Sequence, residues 1–158
     1  MKTSPGACLI LGYDRTESGR LAAAWAARQL QPKGRLVIVH ACRPQRRPPS
    51  PLSSAHERKT LGRALVDELL MEDTESLFDI DIEVEISDRD PVTALCDAAR
   101  RHDAQGIVIG HESHSRLHRA IGTLTSQLLS TSPVPVIAVP MSSSEAAGAP
   151  AAQSRSAA

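Results

Sequence analysis

Aromatic residues are nearly missing from this 158-residue chain: one Trp, one Tyr and one Phe make up 2% of it. A surface that stacks nucleic-acid bases draws on several such rings, so single-strand binding is a poor reading. Net charge is missing too, with 18 basic against 18 acidic residues, and no overall field favours nucleic acid or an anionic membrane. No apolar run approaches transmembrane length, and Met1-Lys2-Thr3 leads into a strand without a signal-peptide core, so a cytoplasmic protein is expected. Cysteine is scarce: Cys8, Cys42 and Cys96 are odd in number, far apart and free of any CxxC spacing, which reads as free thiols in a reducing compartment. Also absent are a GxxxxGK(S/T) loop, a GxSxG elbow and paired carboxylates on one element, so no familiar catalytic arrangement is spelled out.

What is present alternates between strand and helix. Cys8 to Gly12 is uniformly apolar, as a strand buried on both faces should be. Asp14 lies just past its end, and Thr16 or Ser18 can cap a helix running to about Leu30. Leu21, Ala24, Trp25 and Arg28 share one face of that helix, and the many alanines elsewhere permit close packing on a sheet. Pro32-Lys33-Gly34 turns the chain into a second buried strand, Leu36 to Ala41. The proline-rich stretch 43–54 reads as an extended loop, with Arg43, Arg46 and Arg47 solvated or within reach of an anion. Residues 55–77 form an amphipathic helix with Leu61, Leu65 and Leu69 in register. Ile80, Ile82, Val84 and Ile86 then alternate with acidic residues, the pattern of an edge strand with one wet face. Asp90-Pro91 starts another helix, with Val92, Leu95, Cys96 and Ala99 as its buried stripe.

The last folded stretch runs from Gly106 to Val139. A short apolar run, Ile107 to Ile109, stops at Gly110; a loop rich in His and Arg follows. Gly122-Thr123 then opens a helix that ends near Ser132-Pro133, and an apolar run from Val134 to Val139 closes the unit. Strand, helix and strand in this order require a parallel sheet. Ligands collect in such sheets where strand carboxyl ends meet helix N-termini. His111, His114 and His118 have the spacing of ligands on a helical face, but Arg116 and Arg119 would repel a cation, so no metal site is expected. Residues 142–158 hold almost no large apolar side chain and read as a disordered tail behind a domain of residues 1–141.

Gly110, His111-Glu112 and Gly122-Thr123 resemble the C-terminal signature of the universal stress protein family. Leu11-Gly12-Tyr13-Asp14, His40-Ala41 and the approach Gly106 to Gly110 extend the resemblance over roughly residues 7–140. It implies a doubly wound, Rossmann-like five-stranded parallel sheet of order 3-2-1-4-5 with helices on both faces. It also implies that Asp14 and Ala41 border a base and ribose, and that Gly110, Ser113, Gly122, Thr123 and Thr125 border phosphates. A homodimer through strand five, using Val134, Val136, Ile137 and Val139, is implied as well. Two departures fall in the phosphate loop: Ser113 stands where the pattern has a second Gly, and the following spacer holds eight residues rather than nine. A serine there adds a Cβ and disfavours a left-handed backbone. The sequence therefore reads first as a non-enzymatic, dimeric stress-response module working through protein contacts, with weak or no ATP binding. An ATP or adenine-nucleotide sensor is the alternative, and a slow nucleotide-hydrolysing enzyme a third reading.

Overall fold

In the computed structural model, five strands form one parallel sheet in the order β3-β2-β1-β4-β5. The description covers residues 6–41, 55–72, 77, 79–111 and 123–141. In chain order the elements are β1 (Cys8–Gly12), α1 (Glu17–Leu30), β2 (Arg35–Ala41), α2 (Ala55–Glu72), β3 (Asp81–Ser87), α3 (Pro91–Arg101), β4 (Gly106–His111), α4 (Thr123–Thr131) and β5 (Val136–Pro140). The order expected from the resemblance is the order found.

Alternation along each strand divides the core into two layers. Leu9, Leu11, Leu36, Ile38 and Val108 face α1 and α2, where they meet Ala22, Ala23, Ala26, Ala27, Leu65 and Leu69. Ile10, Val37, Val39, Ile107 and Ile109 face the other way, towards α3 and α4, and meet Ala94, Leu95, Ala98, Ala99 and Leu128. Each large aliphatic side chain enclosed in this way contributes roughly 1.5–3 kcal/mol. β1 and the buried part of β4, Gly106 to Ile109, are apolar because both of their faces are covered. At the β3 edge Ile82, Val84 and Ile86 pack on the α1–α2 side, as their alternation predicts.

Several details differ from the sequence reading, among them the end of α2, which closes at Glu72 rather than at residue 77. β4 does not stop at Gly110; the ladder continues through Gly110↔Val139 and His111↔Pro140. β5 starts at Val136 rather than Val134, since Pro135 has no N–H to give and offers only its carbonyl, to Ile107 N at 2.9 Å. Val134 accordingly leaves the proposed pairing edge: it precedes the strand and packs on the α3–α4 side. On α1, Leu21 and Arg28 are exposed and Trp25 is only partly buried against the core, while Ala22, Ala23, Ala26 and Ala27 are buried.

Helix α3 is capped as its sequence reads. The Asp90 side chain accepts from Thr93 N, with Pro91 at the first helical position. That bond to Thr93 holds the Asp90 carboxyl below the ordinary aspartate value of 3.8. A depressed carboxylate stabilises the fold above its unfolded pKa and loses that contribution as pH falls through the folded one. Asp90→Ala should therefore lower the melting temperature by about 3 °C at pH 7. The gap to wild type should close in thermal scans taken well below pH 3.8.

No helix among the described residues is long and apolar enough to cross a membrane. Cys8 and Cys96 are free and buried, and burial pushes the Cys8 thiol up, which keeps it protonated and unreactive.

Candidate functional site

The carboxyl edge of the sheet holds the candidate site, at the point where the chain leaves β1 for one side and returns through β4 on the other. Register sets the levels: Gly12 lies beside Val39 on β2 and beside Ile109 on β4. Tyr13 continues the ladder by donating its N–H to Val39 O at 3.0 Å. Ala41 ends β2 beside Ser87, and Gly110 is the penultimate residue of β4. The structure thus brings Asp14, Ala41 and Gly110 to one edge from three neighbouring strands. Thr123 opens α4 and is exposed, and Thr125, in the same turn, is 7% exposed. No buried side-chain polar atom among the described residues lacks a hydrogen-bond partner, so the Thr125 hydroxyl is not a buried orphan. Ser113, Gly122, Cys42, Arg43, Arg46, Arg47, His114 and His118 lie outside the described residues.

Asp14 has local work. Its Oδ1 accepts from Thr16 N at 3.1 Å and from Thr16 Oγ1 at 2.6 Å. Thr16 Oγ1 in turn accepts from Gly19 N at 3.2 Å, which makes Thr16 the N-cap of α1. The aspartate therefore orients the cap and does not cap the helix itself. Gly110 also has a packing reason to be glycine. A Cβ there would sit 2.4 Å from the Ser18 carbonyl carbon and 2.6 Å from Gly19 N, inside the first turn of α1.

Beneath this edge is a network that joins residues far apart in sequence. The Tyr13 side chain, 2% exposed, donates its hydroxyl to Glu68 Oε1 at 3.1 Å. Glu68 Oε2 pairs with Arg15 Nη2 at 2.8 Å, and Arg20 Nη1 stands 3.7 Å from Oε1. Burial, then the bond to Glu68, pushes the Tyr13 phenol up to about 12. His40 Nδ1 donates to the Tyr13 carbonyl at 2.8 Å, so the end of β2 is tied to the same residue. Arg15 has φ +67°, a left-handed backbone that costs a non-glycine residue roughly 1 kcal/mol or more. Residues 13 and 68 are 55 positions apart, and no local pattern announces their contact.

A second polar cluster sits where α3 ends against the acidic side of β3. His102 Nε2 lies 2.6 Å from Glu85 Oε1, and its Nδ1 lies 3.9 Å from Glu83 Oε2. The three side chains present ligand atoms within 4.8 Å of one another. However, the ring turns a different nitrogen to each carboxylate, and Arg101 takes the other oxygen of Glu85. That is the arrangement of an imidazole bridging two acids, and it makes the wet face of β3 a tie to α3.

A comparison with curated proteins finds no match. Solved structures share the fold at low identity. A universal stress protein family member from Burkholderia pseudomallei superposes with TM-score 0.60 at 20% identity, over 88% of this chain and 99% of that one. An Arabidopsis thaliana family protein with AMP bound gives 0.60 at 15%, over 88% and 94%. A universal stress protein in complex with cAMP gives 0.59 at 20%, over 86% and 98%. The universal stress protein family model matches residues 9–140, from the first core strand to the last, and the chain belongs to that family.

Proposed function

We propose that this chain is a non-catalytic, dimeric stress-response module that binds an adenine nucleotide at the carboxyl edge of β1, β2 and β4. The observation that carries the reading is that three neighbouring strands, β2, β1 and β4, end together at one sheet edge, with Ala41, Asp14 and Gly110 there and the first turn of α4 supplying Thr123 and Thr125. A phosphate oxygen suits such an edge, because the free N–H groups and dipole of a helix N-terminus attract anions. Asp14 and Ala41 stand at the same edge, on the side where a base and ribose would lie. The family relatives with AMP and with cAMP bound support adenine as the base. They also move the preference from protein contacts alone to nucleotide binding, despite Ser113 and the eight-residue spacer. ATP is the form the sequence pattern suggests; AMP is the simplest probe. With Asp14 Oδ1 already committed to Thr16, no hydrolytic role is assigned to it.

Acid release and chromatography of the purified protein should yield a stoichiometric adenine nucleotide, and calorimetry should show AMP or ATP binding. Thr125→Val keeps the shape and removes the hydroxyl. It should weaken that binding about tenfold, the scale of one hydrogen bond to a charged ligand, while leaving the melting temperature within about 2 °C of wild type. An unliganded preparation that also fails to bind added nucleotide would return the chain to the protein-contact reading.

A further inference from the structure

We infer that Glu68 is a positioning residue: from α2, outside the crevice, it clamps the β1–α1 loop in the left-handed turn that sets Asp14 at the nucleotide edge. The inference rests on the proposed nucleotide site for its functional consequence, but the clamp stands on geometry alone. Three groups from one short stretch converge on a single carboxylate. The Tyr13 hydroxyl and Arg20 address Oε1, at 3.1 Å and 3.7 Å, and Arg15 addresses Oε2 at 2.8 Å. Asp14 lies between two of them in sequence.

Arg15 shows what the clamp holds in place. Its φ of +67° is a conformation glycine adopts freely and a side-chain-bearing residue does not. An arginine remains there because its guanidinium has a fixed anion to reach, and half of that anion is anchored by an almost buried phenol. Glu68 is itself only partly exposed, with 25% of its side chain accessible, and its neighbour Leu69 is buried at 3% in the α1–α2 core layer. The carboxylate is thus seated on a rigid element while the loop it holds is exposed. Release of Arg15 would let residues 14–16 leave the turn, and the two bonds from Thr16 to Asp14 Oδ1 would go with it.

The test separates the clamp from general destabilisation and from the nucleotide reading. Amide exchange is followed by NMR at Thr16, whose N–H is bonded to Asp14, and at Ile10 in the core of β1. In Glu68→Ala, exchange at Thr16 should speed at least about tenfold more than at Ile10, because only the loop is released. Adding Arg15→Gly should restore Thr16 to within about threefold of wild type, since glycine holds the turn without a tie. Tyr13 is the sole tyrosine, so absorbance near 295 nm reads its phenol alone. Its ionisation should move from about 12 to lower pH in Glu68→Ala, because the carboxylate and its bond both raise it. Glu68→Gln, which keeps an acceptor for Tyr13, should give a smaller change at both readouts and serves if the alanine variant does not fold.

Equal acceleration at Thr16 and Ile10, or no rescue by Arg15→Gly, overturns the clamp. AMP affinity, measured by calorimetry, should fall about tenfold in Glu68→Ala and return in the double variant. If wild type and Glu68→Ala bind AMP equally, Glu68 does not position Asp14 for the ligand. If wild type binds no AMP while the exchange and phenol shifts appear, the clamp is supported and the nucleotide reading fails.

Discussion

Gly110→Ala should lower the melting temperature by about 10 °C or prevent folding. The added Cβ would meet the Ser18 carbonyl carbon at 2.4 Å, its oxygen at 2.5 Å and Gly19 N at 2.6 Å. All three are backbone atoms in the first turn of α1, so no side-chain rotation relieves the overlap. The helix must move off β4, and with it go Ala22, Ala23 and Ala26, which are all but fully buried. Overpacking of this kind costs about 3 kcal/mol, and about 3 °C is lost per kcal/mol in a domain of this size. Gly62→Ala is the control. It sits in α2 with only the Val84 side chain in ordinary contact, Cγ1 at 3.4 Å and Cβ at 3.6 Å, so it should leave the melting temperature unchanged or raise it slightly. A mild Gly110→Ala phenotype would mean that α1 does not lie this close to β4.

In solution the chain should have the mass of two copies, and Ala138→Arg should reduce it to one. β5 is an edge of the sheet, with one side bonded to β4. The opposite edge, β3, carries Asp81, Glu83 and Glu85, acidic side chains that discourage pairing with another chain. β5 has no charge at all: Val136, Ile137 and Val139 are half-buried, and Ala138 is exposed. Pairing two such edges about a two-fold axis covers both and leaves nothing open for further growth. The substitution must avoid the core. Ile137 and Val139 pack against the α1–α2 layer and Val136 against the other, so a charge at any of them would confuse loss of pairing with loss of folding. Ala138 offers the edge without that ambiguity. Light scattering at about 20 µM, a concentration that populates an interface of moderate affinity, reads the result, with Asp81→Arg on the far edge as the silent comparison. A monomeric wild type would dismiss the pairing; a dimeric Ala138→Arg would move it to another surface.

Much of the fold is legible in the sequence because strands and caps are local. The apolar runs of β1, β2 and β4 and the alternation of β3 identify those strands without any partner. Asp90-Pro91 and Thr16 mark helix starts by their own chemistry. The ends of β4 and β5 are less legible, since a ladder stops where a neighbour can no longer exchange bonds, and that depends on Pro135 and Pro140 meeting Ile107 and His111. The inward face of α1 is also hidden, because it is made of alanines while Leu21 is exposed and Trp25 only partly buried. For the site, the sequence places Asp14, Ala41, Gly110, Thr123 and Thr125 at strand and helix ends, where the structure has them. It does not disclose that Gly110 is needed by α1, that Asp14 serves Thr16, or that Glu68 holds Tyr13 and Arg15. Those facts depend on contacts between distant segments.

The alanine seam of α1 leaves this protein with a one-sided tolerance to change. Ala22, Ala23, Ala26 and Ala27 are each at most 1% exposed, with the sheet directly beneath them. Such side chains cannot be trimmed to leave a void, so the usual route by which interiors weaken, loss of bulk, is closed along the seam. The usual route by which interiors are improved is closed as well, because there is no space for a larger group to fill. Random substitution along this helix should therefore divide sharply. Positions 21 and 28, which are exposed, should accept a wide range of residues, whereas 22, 23, 26 and 27 should accept little beyond alanine, glycine and serine. A saturation library scored for soluble expression would show two stripes, spaced as the turns of the helix are.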